Sequence, residues 1–136
     1  MRPLLAAAGA LALLCGCAER QDSATYCIQT PGKVWGVAPL PAGATATCPE
    51  SPTVREEVRS GSTRLEQYEL SGWQPEPVLR ALQAGGFRIL SRVPDDGIQD
   101  AAVLIRQAGS QDEQVTYVAD RMNGNTLVSI TARGEH

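Results

Sequence analysis

Histidine occurs once in this chain, at His136, and lysine once, at Lys33. The first scarcity removes the commonest general base from any folded interior. The second leaves the positive charge to arginines, and these alternate with acids: Arg55, Glu56, Glu57 and Arg59, then Arg64, Glu66 and Glu69. Mixed signs at such spacing read as solvated faces, and with a formal net charge of -3 no basic patch marks a nucleic-acid partner. Aromatics are few, with two Trp, three Tyr and one Phe, so the core is modest. No apolar run reaches the roughly 20 residues that span a bilayer. Catalytic signatures are missing too: no Gly-x-Ser-x-Gly, Walker loop, His-Glu-x-x-His or Gly-x-Gly-x-x-Gly occurs. The carboxylate pairs Glu56-Glu57, Asp95-Asp96 and Asp112-Glu113 are adjacent in sequence. Adjacent acids seldom converge for acid–base work. Asp95, Asp96 and Asp100 do not follow the alternating ligand spacing of a calcium loop, so they read as turn residues. No catalytic residue, metal site or cofactor is expected.

What is present begins at the amino terminus. Met1-Arg2-Pro3 carries one positive charge, and Leu4 to Leu14 is unbroken Leu, Ala and Gly. A charged start, a short apolar run and small residues describe a secretory signal peptide over residues 1–16. Leu14-Cys15-Gly16-Cys17 then resembles the lipobox of bacterial lipoproteins. That family has a leucine three positions before the modified cysteine and a small residue just before it. The resemblance implies cleavage after Gly16, diacylglycerol on the Cys17 thiol and acylation of the new amine. In that family an aspartate after the lipidated cysteine favours retention at the inner membrane. Ala18 stands there, which implies the periplasmic face of a bacterial outer membrane. Two or three acyl chains give stable anchoring where one is marginal. Residues 17–25 form a short tether, so the membrane is one expected partner.

Removing Cys15 with the signal and acylating Cys17 leaves Cys27 and Cys48. An even pair in an exported chain reads as a disulfide. It closes the Pro- and Gly-rich segment 26–52, which carries too many breakers to hold itself by helix or ladder. Trp35 lies inside that loop. It reads either as a cover packed on the sheet or as a candidate interface anchor, since tryptophan is enriched at binding hot spots.

The folded domain is expected over 53–136. Thr53 to Arg59 fits an edge strand by alternation, or a helical turn with a Thr53–Glu56 capping box. Arg64 to Leu70 reads as a strand with Tyr68 and Leu70 on one face. Ser71 to Gly86 reads as a helix, with Pro75 and Pro77 in its first turn, Val78, Leu79 and Leu82 as its apolar stripe, and Gly85-Gly86 as its stop. Trp73 is taken as a staple fixing the angle at which the chain enters that helix. Phe87, Ile89 and Ser91 fall on one face of the next strand, with Arg88 and Arg92 on the other. Val93 to Gly97 is a turn, and Ala101 to Gln107 a strand. Asn123-Gly124 is a type I′ signal. It sets Met122 opposite Asn125, Ala119 opposite Val128, Tyr117 opposite Ile130 and Val115 opposite Ala132. The fold class is α+β, one short helix on an antiparallel β-meander, beside the disulfide-stapled segment. The outline is similar to cystatin-like folds.

These features predict a non-enzymatic envelope lipoprotein whose small domain binds another cell-envelope protein in an assembly or accessory role. The alternative is a periplasmic inhibitor or immunity lipoprotein that presents the disulfide loop and Trp35 to a toxic or hydrolytic enzyme.

Overall fold

The computed structural model describes residues 27–133. The expected signal peptide, Cys15, the expected lipid site Cys17, the expected tether and His136 lie outside the described residues. A two-residue ladder joins β1 (Lys33–Val34) to β2 (Ala38–Pro39). The rest is β3 (Thr45–Thr47), α1 (Pro52–Ser60), β4 (Thr63–Leu70), α2 (Pro77–Ala84), β5 (Arg88–Val93), β6 (Gln99–Ala108), β7 (Gln111–Met122) and β8 (Asn125–Arg133). Six strands form one antiparallel sheet in the order β3-β4-β8-β7-β6-β5. The fold is α+β, with two short helices. Among the described residues no helix is long and apolar enough to cross a membrane.

The sheet buries one face. Tyr68 and Leu70 of β4, Ala102 and Leu104 of β6, Val115, Tyr117 and Ala119 of β7, and Val128 and Ile130 of β8 alternate inward, as a period of two requires. Above them lie Val78, Leu79 and Leu82 of α2, together with Val34 and Trp35. A boundary at residue 53 therefore does not divide the fold. Cys27, Ile28, Val34 and Trp35 belong to the same core, and β3 pairs with β4. The Cys27–Cys48 disulfide forms, with the Cα atoms 5.7 Å apart. It ties the start of this segment to the end of β3.

The β7–β8 register is as the turn chemistry demands. Met122 faces Asn125, Ala119 faces Val128 and Tyr117 faces Ile130, and the ladder runs to Thr116–Thr131. Asn123 and Gly124 take φ of 54° and 80°, the two positive values of a type I′ turn.

The helices differ from expectation at their starts. Thr53 to Arg59 is helical, and its cap is Ser51 rather than Thr53. The Ser51 hydroxyl accepts the Val54 N–H, Pro52 occupies the first turn, and Gly61 at φ 81° ends the helix. The second helix begins at Pro77, not Ser71. Residues 71–76 are instead held as a loop by β8. Gln74 N–H donates to Thr126 Oγ1 at 2.7 Å, that hydroxyl donates to the Gly72 carbonyl at 2.7 Å, and Gly72 N–H donates to Asn125 Oδ1. Tyr117 Oη donates to the Pro75 carbonyl. Pro75 is thus outside the helix, and only Pro77 sits in its first turn. The stop at Gly86 holds: Phe87 N–H reaches the Leu82 carbonyl and Gly86 N–H that of Gln83, with Gly86 at φ 104°. Gly85 answers a different need. A Cβ there would lie 2.4 Å from Val37 Cγ2, because the helix end crosses the β1–β2 hairpin at contact distance.

A bulge between Ile89 and Ser91 corrects the faces of β5. Ile89 opposes Leu104 on the core face, but Ser91 opposes Val103 on the outer one and Arg92 opposes Ala102. Arg92 is thereby turned to the same side as Ile89, where it meets Asp100.

Candidate functional site

The densest polar constellation surrounds Trp35. The β1–β2 turn places Trp35 at φ 52° and Gly36 at φ 70°. A bulky side chain in the left-handed region is strained, by roughly 1–2 kcal/mol, so its surroundings must hold it there. They do so on every side. The residue is only 2% exposed. Its backbone N–H donates to Tyr68 Oη at 3.1 Å and its indole Nε1–H donates to Glu113 Oε2 at 2.9 Å. The Arg64 guanidinium lies 3.8 Å from the ring centroid as a cation–π lid. Trp35 is therefore placed as a cover over the sheet, with both ring face and ring edge already engaged.

Two buried or half-buried carboxylates complete the network. Glu66 is fully buried. Its Oε2 accepts from Arg64 Nε at 2.9 Å and Nη2 at 2.6 Å, and its Oε1 accepts from Tyr68 Oη at 2.7 Å. Glu113 Oε1 accepts from Arg106 Nη2 at 2.6 Å, and Arg106 also lies over the Phe87 ring, 5.0 Å from its centroid. Burial pushes the Glu113 carboxyl up, but the Trp35 hydrogen bond and the Arg106 contacts outweigh it and hold the group below its ordinary value. The Tyr68 phenol is pushed up, chiefly by burial, so it remains a proton donor to Glu66. The run Arg64, Glu66, Glu69 is thus no uniformly solvated face: Glu66 is inside, paired to an Arg64 whose side chain is 24% exposed. Its strand parity with Tyr68 and Leu70 was the available signal.

A second pair lies farther along the sheet. Asp100, also fully buried, accepts from Arg92 Nε at 3.2 Å and Nη2 at 2.8 Å. Asp95 and Asp96 act in the turn. Asp96 accepts the Ile98 and Gln99 N–H groups, which lower its pKa, and Asp95 accepts from Gly97 N–H and from Trp73 Nε1. Trp73 therefore clamps the β5–β6 turn as well as preceding α2, a contact that local spacing could not reveal. The three aspartates do not converge. Among the described residues no three His, Cys, Asp or Glu side chains group as metal ligands.

Two clefts flank this framework. One, of about 660 Å³, lies beside the disulfide between Trp35, Arg64, Glu113 and Arg133. The other, of about 640 Å³, lies between Val54, Leu65, Glu69, Met122 and Leu127. In the first, both Glu113 oxygens are taken by Trp35 and Arg106, and Arg64 is spent on Glu66. The arrangement fixes backbone and rings in place; it presents no aligned nucleophile and base. No protein-family model matches the chain, and no curated protein or solved structure matches it either.

Proposed function

We propose that this chain is a non-enzymatic lipoprotein of the bacterial envelope, anchored through Cys17 at the periplasmic face of the outer membrane, whose α+β domain binds another envelope protein. The observation that carries this reading is the Leu14-Cys15-Gly16-Cys17 lipobox behind a short apolar run. The internal pairing of Glu66, Asp100 and Glu113 supports a structural role for the charges most suited to chemistry. The alternative, a periplasmic inhibitor or immunity lipoprotein, gains no support from Trp35, whose indole is buried.

The test is metabolic labelling with a palmitate analogue, followed by membrane fractionation and mass spectrometry of the mature amino terminus. Wild type should be labelled, sediment with outer membranes and begin at an acylated Cys17. Cys17→Ser should lose the label and the membrane association. A chain that begins elsewhere, or sediments unchanged without the thiol, would refute the anchor.

A further inference from the structure

The six-stranded sheet has two open sides, β3 and β5. β3 has three residues, too short to template a ladder. β5 has six, and among the described residues no loop backbone bonds to its outer side. Its surroundings are apolar. Leu90, Val93 and Ile98 are exposed at 47%, 62% and 68%, whereas Met122, the other exposed large apolar side chain among the described residues, lines the cleft beside β3 and β4. The first two are on β5 and Ile98 is in the turn that follows. On the strand itself the charge has one sign; the acids Asp95 and Asp96 lie in the turn beyond Val93 and accept its backbone N–H groups. β5 carries Arg88 and Arg92 and no acid. Arg92 is neutralised by Asp100, while no ion pair among the described residues includes Arg88.

A row of unpaired N–H and C=O groups has one fitting occupant, an extended backbone. A second β5 is a poor choice. Two-fold pairing would add a second unpaired Arg88 and no free carboxylate from either strand, and the bulge twists the edge away from flat self-association. A lipid surface is poorly placed too. Cys27 lines the cleft that includes Ala108 and Gln111, at the β6–β7 turn, whereas Val93 opposes Ala101 toward the other end of the sheet.

We infer that the β5 edge receives an extended segment of a partner protein, apolar at the positions facing Leu90 and Val93 and carrying a carboxylate opposite Arg88. This rests on the reading that the chain binds an envelope protein and states where it does so.

The test places the photocrosslinker p-benzoylphenylalanine at Leu90, or at exposed Thr116 on the outer sheet face, in the full chain in its native membranes. The linked peptides are then sequenced. The Leu90 probe should link to an extended segment of another protein with Asp or Glu nearby. Arg88→Glu, at an exposed position that leaves the melting temperature unchanged, should lower that yield about fivefold or more. Val93→Lys should do likewise. Linkage to a second copy of this chain, to a helical segment, or with yields indifferent to both substitutions would overturn the inference. Linkage from Thr116 alone would overturn it while leaving the binding function standing. No linkage from either probe, with no partner retained on affinity purification, would overturn both.

Discussion

Removing Arg64 should destabilise the domain by leaving Glu66 charged and uncompensated. The carboxylate is fully buried and accepts three hydrogen bonds, two of them from Arg64. Breaking a buried pair from one side typically costs about 3–5 kcal/mol. Arg64 retains 24% exposure, so water can relieve part of the loss, and we expect about 2–4 kcal/mol for Arg64→Leu. In a domain of this size that lowers the melting temperature by roughly 10–20 °C. Replacing both partners removes the stranded charge. Tyr68 Oη can then donate to the Lys33 carbonyl, already 3.2 Å away. The double variant Arg64→Leu/Glu66→Leu should therefore recover most of the loss and retain a deficit of about 1 kcal/mol from the missing cation–π lid on Trp35. Urea unfolding followed by tryptophan fluorescence measures all three variants, Glu66→Leu completing the cycle. A cost below about 1 kcal/mol for Arg64→Leu, or a double variant no more stable than that single one, would refute the reasoning.

Other outcomes follow from neighbouring contacts. The folded Glu113 pKa lies below its ordinary 4.5, so its contribution to stability is present above that value and lost as pH falls through the lowered one. Glu113→Gln should flatten this part of the acid slope in urea midpoints taken between pH 6 and 3. Gly85→Ala should cost about 1–3 kcal/mol by driving a methyl into Val37, and adding Val37→Ala should restore much of it in thermal melts. Cys27→Ser/Cys48→Ser should lower stability by about 3 kcal/mol, because the bridge closes a loop of some twenty residues in the unfolded chain. Thr126→Val strands the Gln74 N–H and the Gly72 carbonyl. It should cost about 1–3 kcal/mol and speed amide exchange over residues 71–76.

Where the determinant was local, the sequence was a sound guide. Asn123-Gly124 and the alternation beside it specify the β7–β8 register, and the Leu82 stripe with Gly86 specifies the end of α2. Where the determinant was distant, it was not. Thr126 and Asn125 decide that 71–76 is a loop, Trp73 finds Asp95 across the fold, and the β5 bulge turns Arg92 toward Asp100. The charges misled for the same reason. Glu66 and Asp100 look like surface residues until the arginine that satisfies each is placed beside it. Trp35 was legible as a cover or an anchor, and only the coincidence of Tyr68, Glu113 and Arg64 around it distinguishes the two.

The position of β8 has a consequence for how the chain reaches this state. The last strand made is not at an edge; it sits between β4 and β7 and pairs with both. During synthesis from the amino terminus, β4 has no neighbour on that side until residues 125–133 have emerged. The sheet cannot be assembled as a growing ladder, and its two halves, β3-β4 and β5-β6-β7, are joined in a late step with high contact order. A nascent or carboxy-terminally clipped chain thus exposes two new strand edges instead of losing one, and is correspondingly prone to capture by holding chaperones or to aggregation.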